Sequence, residues 1–378
     1  MRKNAFFLVT CIALLFAIGL LMVFNTTSAV VLDRHLDVST HYALIKQLLY
    51  ACLSIMAALV VYYFGYQKIL SWTPYLFYFL FVLLIAVFIP GFGQQLNGAY
   101  RWIVIGSFYL GQPSEFMKVI MPLYFIHMIS KEGEESQITW QFFYRIMAIF
   151  AAALFLILME PDNGTVAIIM MTMMALFFIS RIRLIYWLLP ILLIGGIGCM
   201  CAMQMTHVKE RIRVYLNPEL DLLGKGHQPY QAKIAAGSGE LFGRGVGESL
   251  QKLNYLPEAR SDYIAAIYAE EFGFVGVLFL VLLYMIIAYI GFHIAASSKD
   301  KTGFYVAAIL TFLISFQAFL NLGVVSGLLP SKGINLPFFS QGGSSLMANT
   351  IALTLIVHIA KSKEYKREKK IWKKIRQT

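Results

Sequence analysis

At 378 residues, 59% hydrophobic and 13% charged, the chain is far more apolar than a soluble domain, where about a quarter of residues are charged. Its mean hydropathy of +0.70 marks an integral membrane protein of many spans. The net charge of +11 does not call for nucleic acid, because nine of the 31 Lys and Arg crowd between Lys361 and Arg376, where they suit an anionic lipid surface. Cys11, Cys52, Cys199 and Cys201 sit in apolar runs without zinc or disulfide spacing, and the seven histidines are scattered.

In chain order, Arg2 and Lys3 precede an apolar run over 5–24, long enough to be an uncleaved first span. Further spans are predicted at 44–64, 75–90, 116–129, 142–159, from Thr165 to 180, 184–205, 265–293, 304–329 and 346–360. The expected fold is an all-α polytopic bundle of ten helices over 1–360, with a large extracytoplasmic loop (206–264) between helices 7 and 8 and a basic tail over 361–378. Lys68, Lys131, Arg181, Arg183, Lys299, Lys301 and the tail fall on one side of it, so both termini are expected in the cytoplasm.

The Gly, Pro and polar patches then all face outward: 91–115, the turn from Glu160 to Thr165, the long loop, and 330–345. Irregular backbone at membrane depth survives only inside protein or along a wet cavity. One outer cavity is therefore expected, collecting Arg101, Glu115, Lys118, Asp162, Asp262 and Gly342-Gly343-Ser344-Ser345. The long loop carries seven glycines from Gly224 to Gly247 and delivers the carboxylate of Asp262 to the membrane edge, although a merely solvated loop would look similar.

Several of these residues have two readings. Glu115 and Lys118, at i and i+3, are either a packing lock or a functional ion pair. Asp162 follows Pro161 and suits a helix N-cap as well as it suits chemistry. The Gly342 to Ser345 turn could present amides to an anion.

Taken together, the motifs resemble one family. Gly98-Ala99-Tyr100-Arg101-Trp102 followed by Gln112-Pro113-Ser114-Glu115 and Lys118 is similar to the GAxRW…QPSExxK signature of the SEDS family (shape, elongation, division and sporulation). Pro161-Asp162 with Gly164-Thr165 resembles its QPDxGT motif, and Leu256-Pro257-Glu258 with Ser261-Asp262 and Glu270-Glu271 its LPExxTDF…EExG stretch. Leu329-Pro330, Leu336-Pro337-Phe338 and Ser340 with Gly342 to Ser345 resemble its last outer loop. Departures include Glu160 for Gln, His227 for Tyr, Glu240 for Gly, Tyr263 for Phe and Gln341 for Tyr. The stretches 247–253 and 331–334 resemble the FtsW division branch more than the RodA elongation branch.

The resemblance implies a peptidoglycan glycosyltransferase of the bacterial inner membrane that polymerises lipid II at the division site. It implies as partners a class B penicillin-binding protein transpeptidase and other cell-division proteins. Asp262 falls on the family's catalytic aspartate, and Arg101, Glu115 and Lys118 on its charged site residues. The chemistry agrees: a carboxylate takes the acceptor proton, cations hold the diphosphate, and a divalent cation such as Mg2+ or Mn2+ could assist at Asp262. The rival readings are a lipid II flippase and a non-catalytic division scaffold.

Overall fold

The computed structural model describes residues 2–33, 39–96, 99–105, 108–131, 139–192, 213, 215, 217–222, 224, 226–253, 256–330 and 333–375. Gly98, Cys199, Cys201, Arg211, Lys225, Lys332 and the loop carrying Glu132, Glu134 and Glu135 lie outside those residues. Of the expected seventh span, 184–192 is helical and 193–205 lies outside.

Helix α1 (Arg2–Asp33) is followed by α2 (Tyr42–Ala86), which is two helices joined at Gly65 with φ +77. A Cβ at Gly65 would stand 2.8 Å from Nε2 of His358, so this position needs glycine for space as well as for φ. The sequence suggested a loop between these spans that contains Lys68. Instead the helix resumes at once, and the Lys68 ammonium lies 4.8 Å and 5.3 Å from the ring centres of Phe64 and Trp72. Cation–π contact lets the charge stay within the helix.

The first Gly- and polar-rich patch is not irregular. It holds an antiparallel sheet of β1 (Gly93–Leu96), β2 (Ala99–Ile105) and β3 (Phe108–Gly111), in that order. The run Tyr100-Arg101-Trp102-Ile103-Val104-Ile105 is aromatic and β-branched, as a strand requires. The chain then turns at Gly111 into α3 (Pro113–Lys131), with proline at the first helical position. Helix α3 is the axis of the bundle, with every residue from Met117 to His127 buried.

Helices α4 (Trp140–Met159) and α5 (Asn163–Ile179) follow, then α6 (His227–Ser238) in the long loop, α7 (Ile264–Ala296), α8 (Lys301–Val325) and α9 (Gly343–Ile375). The basic tail expected as a separate unit continues α9 without a break as far as Ile375. Among the described residues, six helices are long and apolar enough to cross a membrane, which makes this an all-α protein of many spans with one small sheet. Aromatic side chains from neighbouring helices fill the core, with Phe125 touching Phe143, Phe150 and Phe177.

Helix α7 is broken at Gly273 (φ +64). The loop laces this break: Phe274 N donates to Glu240 O (2.9 Å), Val275 N to Leu241 O (3.1 Å) and Arg244 N to Glu270 O (3.0 Å). Beneath it, Lys252 Nζ lies 3.0 Å from Glu271 Oε1 and donates to Asn25 Oδ1 at 2.8 Å, while Asn25 Nδ2 donates to both Glu271 oxygens. Glu270 accepts from Ser249 Oγ and Leu250 N. Both acids are thus consumed in fastening the loop to α1 and α7. Removing one member leaves a buried charge unpaired, so Lys252→Met should destabilise the protein by about 3 kcal/mol or more. The double change Lys252→Met/Glu271→Met should cost less than the single one, measured by thermal unfolding in detergent.

Candidate active site

Strand β2, the α4–α5 turn, the segment before α7 and the loop before α9 meet around a polar cavity of about 250 Å³. Arg101, Glu115, Asp162, Asp262, Gly342, Ser344 and Ser345 line it, with Gln112, Glu258 and Asn335. Of the residues expected from sequence, Lys118 and Gly343 are not on the wall. Gly343 begins α9 and packs against the Tyr50 ring. Lys118 is buried one layer below, with its ammonium 2.8 Å from Glu115 Oε2 and donating to Gln317 Oε1 at 3.2 Å. Glu115, which pairs with it, stands on the cavity wall.

Arg101 donates from Nε to Glu160 O (2.9 Å) and from Nη2 to Pro161 O (2.6 Å). It therefore holds the α4–α5 turn in place while lining the cavity. Asp162 caps α5: its Oδ1 accepts from Thr165 N (3.2 Å), and its Oδ2 accepts from Gln112 Nε2 (2.9 Å) and Ser114 Oγ (3.4 Å). Those bonds fix the turn at the head of α5. Ser344 Oγ accepts from Gln112 N at 2.9 Å, tying the α9 start to the entry of α3.

Asp262 is half-buried at the end of the long loop. Gly333 presses on its carboxylate, since a Cβ there would stand 2.9 Å from Oδ2. Burial, then the Glu258 carboxylate, pushes Asp262 up to about 7; Arg101 opposes this, and Asp162 and Glu115 add to the rise. An acid with that pKa exchanges a proton near neutrality, as a general base requires.

Glu160 is fully buried, and neither of its carboxylate oxygens has a hydrogen-bond partner among the described residues. Burial and the adjacent Asp162 raise it to about 9 against the pull of Arg101, so it is protonated at neutral pH. A neutral acid here can stand in for the amide that the SEDS motif usually carries.

Among the described residues no three His, Cys, Asp or Glu side chains converge as a metal-ligand set. Reasoning from charges in the sequence missed the neutral amides Gln317 and Asn321, both 1% exposed on α8. Their signal was available: two amides at i and i+4 inside an apolar span.

The sequence matches, over residues 5–365, the family profile described as Cell cycle protein that covers FtsW, RodA and SpoVE. The chain belongs to that family. Stage V sporulation protein E of Bacillus subtilis (strain 168) is 36% identical over 360 residues, 95% of this chain and 97% of its own. The probable peptidoglycan glycosyltransferase FtsW of Coxiella burnetii is 36% identical over 357 residues, 93% of this chain and 95% of its own. Among solved structures, the rod shape determining protein RodA of Thermus thermophilus aligns with TM-score 0.66 at 23% identity, covering 94% of this chain and 95% of that one. A chain from a structure of "polymerization and crosslinking by a peptidoglycan synthase complex" aligns with TM-score 0.76 at 22% identity, covering 94% and 97%.

The protonated state of Glu160 gives a stability prediction. The folded protein keeps this proton up to about pH 9, whereas the unfolded chain releases it near the ordinary value of 4.5. Between those values the unfolded state binds fewer protons, so wild-type stability falls as pH rises. Glu160→Gln removes that loss, and its advantage in melting temperature over wild type should be absent near pH 4 and grow steadily to pH 9.

Proposed function

We propose that the chain is a peptidoglycan glycosyltransferase that polymerises lipid II on the outer face of a bacterial cytoplasmic membrane, with Asp262 as general base. The observation that carries this reading is a carboxylate held at about 7 on the wall of a polar cavity that also holds Arg101. The acceptor hydroxyl oxygen attacks the anomeric carbon of the donor sugar. The bond to diphosphate breaks, its electron pair leaves with the diphosphate, and Asp262 takes the hydroxyl proton. One such displacement turns an α-linked donor into a β-linked strand. Diphosphate leaves without a strong general acid, so the remaining demand is for positive charge. Arg101 meets it on the wall and Lys118 from beneath Glu115.

The ten-span topology with both termini in the cytoplasm is part of this proposal and puts the cavity on the side where lipid II is consumed. A class B transpeptidase is the proposed partner, supported by the likeness to a chain of a complex described as coordinating polymerization and crosslinking. We assign the septal role on the FtsW-like loop stretches, 247–253 and 331–334. The similar relatives include both FtsW and a sporulation protein.

Purified chain with its partner and labelled lipid II should form glycan at a rate that rises with pH to a plateau, with a midpoint near about 7. Glu258→Gln removes the carboxylate that most raises Asp262 by its charge, so this midpoint should move down and the rate at pH 6 should increase. Asp262→Asn should make no glycan at any pH. A normal strand length from Asp262→Asn would end the base assignment.

A further inference from the structure

We infer that Gln317 and Asn321 of α8 are positioning residues that fix Asp262 relative to Lys118, so that base and cation move as one unit. This rests on the reaction proposed above. The two amides lie one turn apart on the same face of the helix, and both are buried. Asn321 Nδ2 donates to Asp262 O at 2.8 Å and to Ile334 O at 2.6 Å. Gln317 Nε2 donates to Asn335 O at 2.9 Å, and its Oε1 accepts from Lys118 at 3.2 Å. Each amide can face only one way, because main-chain carbonyls accept and an ammonium donates.

One helix therefore holds three main-chain carbonyls from two loops and one ammonium. Those loops have no ladder of their own at this point, and a carbonyl left bare this deep would be costly. The loops are also pressed together, since Gly333 leaves no room for a Cβ beside the Asp262 carboxylate. A shift of Asn321 would thus carry Asp262 and the 333–336 wall with it. Nothing in this arrangement requires Asn321 to touch substrate. It acts through the main chain of Asp262.

The test uses the full chain in lipid nanodiscs, as wild type, Asn321→Ala and the milder Asn321→Gln. Hydrogen exchange should speed up in Asn321→Ala at Tyr263 and at Ile334 to Leu336, and stay unchanged at the Glu270–Glu271 anchor. With labelled lipid II, kcat should fall about 100-fold, the cost expected of a misplacement of about 1 Å, while KM stays within about threefold. Asn321→Gln keeps the donors on a longer arm and should fall between. Unchanged exchange at both loops would overturn the inference, and so would loosening that includes the Glu270–Glu271 anchor. So would wild-type kcat in Asn321→Ala. A wild type that makes no glycan would refute the proposed reaction instead, and the exchange pattern would still decide whether α8 positions the loops.

Discussion

Main-chain groups that leave a helix inside a membrane must find partners within the protein, and the cavity depends on how this chain meets that demand. Four non-helical segments meet at one end of the bundle. Side chains from β2 and the helices satisfy them: Arg101 of β2 takes the α4–α5 carbonyls, Asn321 and Gln317 of α8 take those of the two later loops, and Ser344 of α9 takes the amide of Gln112. The polar groups that shape the cavity are thus also the ones that make its irregular backbone tolerable in lipid. Function and stability share the same bonds here, and a change at any of them moves both.

The charges divide into two sets with different work. Lys252, Glu271 and Asn25 form a closed network with Glu270 nearby, all of it given over to anchoring the loop. Around the cavity the balance is left uneven, with Glu115, Asp162, Glu258 and Asp262 on the wall against Arg101 there and Lys118 below. Burial first, and then that excess of carboxylates, raises Asp262 to about 7.

Much of this was legible in the sequence because membrane spans are written in composition. Runs of apolar residues marked the helices, and the outward patches marked the cavity with Arg101, Glu115, Asp162 and Asp262 on it. The errors lay where local chemistry outweighs hydropathy. Lys68 looked like a loop residue and sits in a helix, its ammonium beside the rings of Phe64 and Trp72. The sheet at Gly93 to Gly111 was hidden by its glycines and polar residues, although Trp102-Ile103-Val104-Ile105 carried the strand signal. Asn321 escaped notice because a neutral amide raises no charge alarm, yet it holds the main chain of Asp262. The burial of Lys118 beneath Glu115 could not be read from spacing, which gives a shared face but not a depth.

The central claim is that the outer cavity joins sugars rather than passing lipid across the bilayer. Both outcomes can be read in one preparation: the purified chain and a class B transpeptidase in sealed proteoliposomes, with labelled lipid II in both leaflets. Glycan strands are resolved on a gel, and the leaflet of the remaining lipid II is read by an impermeant quencher. The account predicts strands grown from lipid II in the leaflet that faces the cavity, with the other leaflet's pool retained. Transfer of lipid II between leaflets without any strand formation would contradict it.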